Sequence, residues 1–209
     1  MRTISAGGGQ LEEANALRAM FVARKEVFID LLGWDVPVIG GLFEIDQFDD
    51  PHARYIIILD DDGRHRASAR LLPTTRPHIL DQLYGELCEE ALPRGPQIFE
   101  ITRFCLDRYQ SAAERREARD ALVSGLVITA MANGILTYTG VAEQSWLNQI
   151  MTFGWRCRAL GTPRQAGDRM LAALRIDIDA GTIGALAASG IYREHGAYRT
   201  RELASERAA

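Results

Sequence analysis

Apolar residues recur at spacings of three and four through Leu17, Met20, Phe21, Phe28 and Leu31, with Arg24 interrupting the stripe. That period predicts one helix over about Gln10–Leu32. An arginine on a buried helix face needs a carboxylate or a ligand; otherwise it must snorkel to the rim. A Gly- and Pro-bearing loop follows, and then two strand-like runs, Ala53–Leu59 and Arg66–Leu72, joined by an Asp60-Asp61-Asp62-Gly63 turn. Pro73 and Pro77 end the second run, and a short helical stretch over Ile79–Ala91 leads to a strand at Ile98–Leu106. The longest later helix is predicted over Ala112–Ala132, with Leu122, Leu126 and Thr129/Ala130 inward and Gly134 as its stop. Strand Ile135–Val141, helix Glu143–Thr152, strands near Trp155–Leu160 and Met170–Ile178, and a small helix over Asp179–Gly190 complete the body. Early strands followed by alternating strands and helices predict an α/β (α+β) sandwich with a mixed sheet. No repeat period is present. The expectation is one domain over 1–209, with 1–9 and about 192–209 mobile.

At 209 residues and 47% apolar content the chain can build a full core. A formal charge of −4 argues against a general nucleic-acid binder. No stretch approaches a membrane span, and the N-terminus lacks the apolar segment of a signal peptide, so a cytoplasmic protein is expected. Cys88, Cys105 and Cys157 have no metal-ligand spacing and read as buried free thiols; no metal site is expected. His52, His65, His78 and His195 fall in loops or at element ends and read as solvated. Ser68 and Ser124 lack a nucleophile elbow, Gly7-Gly8-Gly9 follows no strand and so makes a poor phosphate loop, and Trp146 and Trp155 read as core.

Four segments place charge or aromatics beside apolar structure: Arg24–Trp34, Glu44–Asp50, Ser68–Thr75 and Glu100–Phe104. They set Arg24, Arg70 and Arg103 against Asp46, Asp49 and Glu100, three cations and three anions. Such a set can be a buried structural network or a reactive site, and pattern alone leaves both open.

The order Arg24-Lys25-x-Val27-Phe28, Gly33-Trp34-Asp35-Val36, Glu44-x-Asp46-Gln47-Phe48-Asp49, Ala69-Arg70-Leu71-Leu72-Pro73-Thr74-Thr75 and Glu100-Ile101-Thr102-Arg103-Phe104 resembles the acyl-homoserine-lactone synthases, the autoinducer synthases of the LuxI type. The likeness covers roughly the first half of the chain and weakens after Asp107, apart from a helix ending in Gly154-Trp155. It implies a fold like the GCN5-related N-acetyltransferases, a splayed mixed sheet flanked by helices. It also implies S-adenosylmethionine as a substrate, with no cofactor. Under the resemblance Glu100, Arg103 and Arg70 are catalytic, and Arg24, Phe28, Trp34, Asp46, Asp49 and Phe104 bind S-adenosylmethionine.

The chemistry fits these residue types. Aromatic faces attract a sulfonium, carboxylates hold an ammonium, and guanidiniums pair with a carboxylate. Acylation needs a neutral amine, and Glu100 is the candidate base. In a regular strand Glu100 and Arg103 face opposite ways, so a bulge, as known in the acetyltransferase-like fold, is predicted here.

Two departures matter. The helix before Gly154-Trp155, where the resemblance implies docking of acyl carrier protein, has no basic side chain over Trp146–Phe153; Arg115, Arg116 and Arg119 offer another face. The segment Arg108–Ala113 lacks the glycine that lets a backbone cradle the pyrophosphate of coenzyme A. An acyl carrier protein is therefore expected as donor, with acyl-CoA possible. Gly140, Leu122, Leu126 and Met151 are the expected acyl pocket. Family members selecting 3-oxo chains commonly carry a threonine near Gly140, so a chain unsubstituted or 3-hydroxylated is expected. The competing readings are an acyl-CoA-dependent N-acyltransferase on another amine and a non-catalytic acyltransferase-like binding module.

Overall fold

The computed structural model describes residues 2–4, 10–193 and 201–202. In chain order it forms β1 (Arg2–Ile4), α1 (Gln10–Arg24), a π-helical segment (Lys25–Leu31), β2 (Val38–Ile39), β3 (Phe43–Glu44), β4 (Arg54–Leu59), β5 (His65–Pro73), α2 (Ile79–Leu83) and a 3₁₀ turn (Gly85–Leu87). There follow β6 (Ile98–Leu106), α3 (Ala112–Asn133), β7 (Thr137–Glu143), α4 (Gln144–Ile150), β8 (Arg156–Ala159), β9 (Arg164–Ala166), β10 (Arg169–Asp177), α5 (Thr182–Ala188) and β11 (Arg201–Glu202). The Gly7-Gly8-Gly9 run, His195 and most of both expected mobile ends lie outside the described residues.

The chain divides into two compact units, one of Met1–Arg70, Arg103–Gly125 and Glu194–Ala209, the other of Leu71–Thr102 and Leu126–Arg193. In the first unit β4 pairs antiparallel with β1 and with β11. Its Tyr55-Ile56-Ile57-Ile58-Leu59 run is buried throughout, as a strand covered on both faces must be. On α1 the stripe buries Ala16, Met20, Ala23 and Arg24, whereas Leu31 ends half exposed. The α-helix stops at Arg24, eight residues before the expected end, because the next turns widen to π geometry. The start of α3 carries a capping box: Ser111 N–H and Oγ–H both donate to Glu114, at 2.8 and 2.7 Å.

In the second unit β6 runs parallel to β7 over Ile98–Ile101, and β7 runs antiparallel to β10 along its whole length. β8 and β9 pair antiparallel with β10. The mixed strand directions and flanking helices match the sandwich expected from the sequence. Leu80, Leu87, Leu160 and Ala173 form one core cluster. Gly154 has φ +99°, and a Cβ there would sit 2.5 Å from the Ala185 carbonyl, so only glycine fits before Trp155. Trp155 is buried and donates to the Ile150 carbonyl at 2.9 Å, while Trp146 is half-buried, edge-on to Phe153.

Two small readings are corrected. Cys105 is fully buried, but Cys88 and Cys157 are only half-buried; all three are free thiols. His78 and His65 are buried rather than solvated, because each finds a local partner: His78 Nδ1 meets the Arg76 carbonyl and His65 Nε2 meets Ser68 Oγ, both at 2.8 Å. His52 is exposed as expected.

Burial, with the charge of Arg66 adding to it, pushes His65 down to about 3. A histidine whose folded pKa is depressed leaves the unfolded state binding the extra proton below pH 6.5, so stability falls as pH drops from there. From pH 6.5 to 5 this residue should remove about 2 kcal/mol, at about 1.4 kcal/mol per pH unit. Urea melts at the two pH values should show that slope in the native protein and a shallower one in His65→Gln; equal slopes would contradict the assignment.

Candidate active site

The π-helical segment shapes one wall of the site. Leu32 N–H donates to the Val27 carbonyl and Trp34 N–H to the Phe28 carbonyl, at 3.0 and 2.8 Å. Gly33, at φ +65°, makes the reversal between them. The chain thereby folds the Trp34 ring onto Phe28, centroids 4.6 Å apart and planes 18° from parallel. Ala23, Val27, Phe28 and Cys105 form the cluster on which Trp34 rests.

The β2–β3 hairpin and the loop after it supply the anions. Asp46 and Asp49 are fixed by a local turn: Phe48 N–H donates to Asp46 Oδ1 at 2.8 Å and Asp46 N–H to Asp49 Oδ2 at 2.9 Å. Arg24 grips Asp49 through both terminal nitrogens, at 2.8 and 2.9 Å, and its Nε donates to Glu44. Arg70 grips Asp46 at 2.6 and 3.1 Å and lies 2.9 Å from Asp49. Arg103 closes the circuit, 2.9 Å from Glu44 and 2.7 Å from Asp46. Three guanidiniums and three carboxylates thus alternate in a ring. Tyr55 OH also donates to Asp49, at 2.8 Å.

Each guanidinium lies against an aromatic ring: Arg24 over Phe21 at 5.1 Å, Arg70 over Phe48 at 5.9 Å, and Arg103 over Phe28 and Trp34 at 5.7 and 5.8 Å. Arg24 does not snorkel; its side chain is 1% exposed. The ring is sealed except along one edge, where Arg103 is 9% and Asp46 5% exposed.

Burial alone would raise the pKa of Asp49, but hydrogen bonds and charge from Arg24, with Arg70 adding, hold it well below the usual carboxylate range. Burial likewise opposes the charge on Arg24, and Asp49 and Glu44 outweigh it, so its pKa is raised. The Tyr55 phenol is pushed up by burial and then by Asp49.

Glu100 is not a member of this ring; Glu44 takes the place expected for it. The reason is local to the second unit. Each Glu100 oxygen accepts a backbone N–H at the start of α2, from Ile79 at 2.8 Å and Leu80 at 2.9 Å, with the side chain wholly buried. Glu44 had a readable signal: it stands two residues from Asp46 in an extended segment, and two-residue spacing keeps side chains on one face. Where a bulge was expected in β6, the backbone turns left-handed at Arg103. Its φ is +51°, and no other non-glycine among the described residues has a positive φ. Pairing of β6 with β7 extends no further than Ile101.

Of the remaining expected residues, Phe104 is half-buried just after that break. Leu122 and Leu126 are fully buried one turn apart on α3. Gly140 is buried on β7, where a Cβ would approach the Ile101 carbonyl to 3.1 Å. Met151 is 44% exposed after the end of α4, while Phe153 and Trp155 turn inward there, so the surface position does not suit an acyl pocket. Arg115 and Arg116 are exposed on α3, but Arg119 is half-buried and bonded to Asp120 at 2.6 Å. Among the described residues no cluster of side chains could hold a metal, and no helix is long and apolar enough to cross a membrane.

A mixed sheet flanked by helices is the fold of the GCN5-related N-acetyltransferases. FeeM, an N-acyl amino acid synthase from uncultured soil microbes, shares that fold at a TM-score of 0.58 and 11% identity. Residues 9–186 match the autoinducer synthase family, and the chain belongs to it. It is 34% identical to the acyl-homoserine-lactone synthase of Ralstonia nicotianae over 198 residues, 91% of this chain and 95% of that relative. Among solved structures it resembles MesI, a CoA-dependent acyl-homoserine lactone synthase, with a TM-score of 0.79, 27% identity and coverage of 94% and 97%. TofI in a ternary complex with an inhibitor and MTA gives 0.73, 31%, and 90% and 97%. The chain is an acyltransferase that makes an acyl-homoserine-lactone signal.

Removing one partner from a buried ion pair leaves an uncompensated charge, at roughly 3–5 kcal/mol. Glu44→Gln, which takes one of two anionic partners from both Arg24 and Arg103, should lower stability by up to about that amount in urea denaturation. A loss below about 1 kcal/mol would mean that the ring contributes little to folding.

Proposed function

We propose that the chain moves an acyl group from a thioester carrier to the amine of S-adenosylmethionine and then closes the lactone, releasing methylthioadenosine. The observation that carries this reading is the charge ring open only at Arg103 and Asp46, beside the stacked Phe28 and Trp34. An amino-acid end needs an anion for its ammonium and a guanidinium for its carboxylate, and that edge offers one of each. Asp49, Arg24 and Arg70 hold the edge in place from behind. The aromatic pair suits a sulfonium, an attraction of roughly 0.5–2 kcal/mol once desolvated. The MTA in the TofI complex agrees with such a substrate.

Glu100 is the base in this reading. The substrate ammonium gives it one proton; the amine attacks the thioester carbonyl, forming C–N as C–S breaks. A second nitrogen proton leaves with the carrier thiolate, and the third stays on the amide. The substrate carboxylate then attacks the carbon next to sulfur, forming C–O as that C–S bond breaks. The sulfonium becomes a neutral thioether, a good leaving group, so positioning supplies most of this second step.

We take acyl carrier protein as the donor and 1–209 as one cytoplasmic synthase domain. The capping box at α3 favours that donor: Ser111 and Glu114 already serve the helix start. Hydrogen bonds from Ser111, and then from Arg66, hold the Glu114 carboxyl down to about 2, so a negative charge stands where a pyrophosphate would lie. Arg115 and Arg116 are exposed one turn on, suited to an acidic carrier; Arg119 is half-buried by Asp120 and contributes less. One observation favours acyl-CoA instead, the likeness to a CoA-dependent synthase at 27% identity. Leu122, Leu126 and Gly140 are proposed for the acyl chain. With glycine at 140 no side chain there can bond a 3-oxygen, so an unsubstituted or 3-hydroxy chain is preferred.

Glu100→Gln should lower turnover on the order of 100-fold or more while S-adenosylmethionine affinity, by calorimetry, stays near native. Near-native turnover in the folded variant would remove Glu100 from the base role. In competition between matched donors, the carrier-bound unsubstituted chain should outpace both its CoA ester and the 3-oxo chain. Reversing Arg115 and Arg116 should raise KM for the carrier alone, and an equal KM would unseat that docking face.

A further inference from the structure

In the second unit, two buried side-chain atoms have no hydrogen-bond partner among the described residues: Nε2 of His78 and Oγ1 of Thr139. Both residues are 0% exposed. Buried polar groups nearly always have partners, and an orphan calls for an explanation. Here the two residues that carry them both neighbour Glu100 in the fold. Thr139 is the register partner of Glu100 across the parallel β6–β7 pair, so the two side chains leave the sheet on the same face, on strands about 4.8 Å apart. His78 directly precedes Ile79 and Leu80, whose N–H groups hold the Glu100 carboxylate.

The two atoms differ in kind. His78 Nδ1 lies 2.8 Å from the Arg76 carbonyl. A carbonyl only accepts, so Nδ1 carries the proton and Nε2 presents a bare lone pair. Burial pushes the imidazole down in pKa, which keeps the ring neutral. The Thr139 hydroxyl can both donate and accept. One acceptor and one donor beside a carboxylate are what a single water molecule requires, since buried waters typically make about three hydrogen bonds.

We propose that Thr139 and His78 are positioning residues which, with Glu100, hold the water that carries the proton in acylation. The inference rests on Glu100 as the base. The substrate ammonium gives a proton to the water while the water gives one of its own to Glu100. Net transfer is one proton from nitrogen to carboxylate, and the water is regenerated. Its oxygen accepts the Thr139 O–H, and its second hydrogen bonds His78 Nε2, which fixes the lone pair that meets the substrate.

Thr139→Val keeps the shape and deletes only the hydroxyl. If Thr139 merely packs, removing an unpartnered buried hydroxyl leaves turnover native and the melting temperature equal or higher. The proposal expects kcat to fall about 10-fold or more, KM for S-adenosylmethionine to stay within about twofold, and Thr139→Ser to restore most of the loss. Native kcat in Thr139→Val, or a loss that serine does not restore, overturns it. Should the valine variant not fold, His78→Phe is read the same way: kcat falls at unchanged KM, or the proposal fails. Glu100→Gln separates the two layers. If it keeps turnover, the base reading falls and the water with it; if it loses turnover while Thr139→Val does not, only the water falls.

Discussion

The alternation of Arg24, Glu44, Arg103, Asp46, Arg70 and Asp49 is the constraint on which the first unit is built. Six charges lie in a space nearly closed to solvent, which is tolerable only because every one faces opposite charge on both sides. The guanidinium is the cation suited to this, since two of the three arginines grip a carboxylate through both terminal nitrogens. Four stretches of chain contribute members: the end of α1, the β3 loop, β5 and β6. Closing the ring therefore fixes the register of all four, a specification that apolar packing would leave looser.

In the proposed function, recognition of a zwitterion uses the same parts. A site that binds an ammonium and a carboxylate must keep its own anions and cations from collapsing onto the wrong partners. The buried members do that for the exposed ones. Two arginines hold the aspartates, and the edge of the ring left facing solvent is the pair proposed for the substrate. Arg103 over Phe28 and Trp34 also keeps a cation on the aromatic faces, so the sulfonium proposed to bind there would exchange one favourable contact for another.

Much of this was legible in the sequence because it follows period and composition. Strand β6 falls where its apolar run predicts, at Ile98–Leu106, and α3 ends within a residue of its expected stop. The all-apolar Tyr55–Leu59 run could only be a buried strand. The π-helical turns at Lys25–Leu31 were not legible, since the apolar stripe continues through them and only the backbone hydrogen bonds reveal the wider turn. Glu100 was placed in the charge set because its neighbour Arg103 belongs there. Sequence shows that a buried carboxylate needs donors, not that two backbone amides of α2 supply them. The histidines were misread for the same reason, as backbone and hydroxyl partners leave no mark in composition. Small β9 is also invisible, a polar run made a strand by β10 beside it.

The left-handed backbone at Arg103 ties the path of β6 to the charge ring. Arginine has no intrinsic taste for that region, and an isolated strand carrying it would stay extended. Only the grip of Glu44 and Asp46 on its side chain repays the strained φ. From Arg103 onward β6 therefore depends for its native path on the hairpin and loop carrying those acids. Two kinds of interaction hold this strand: pairing with β7 holds the first half, and charge recognition holds the turn. The part of the strand proposed to serve chemistry is thus the part that depends most on partners distant in sequence.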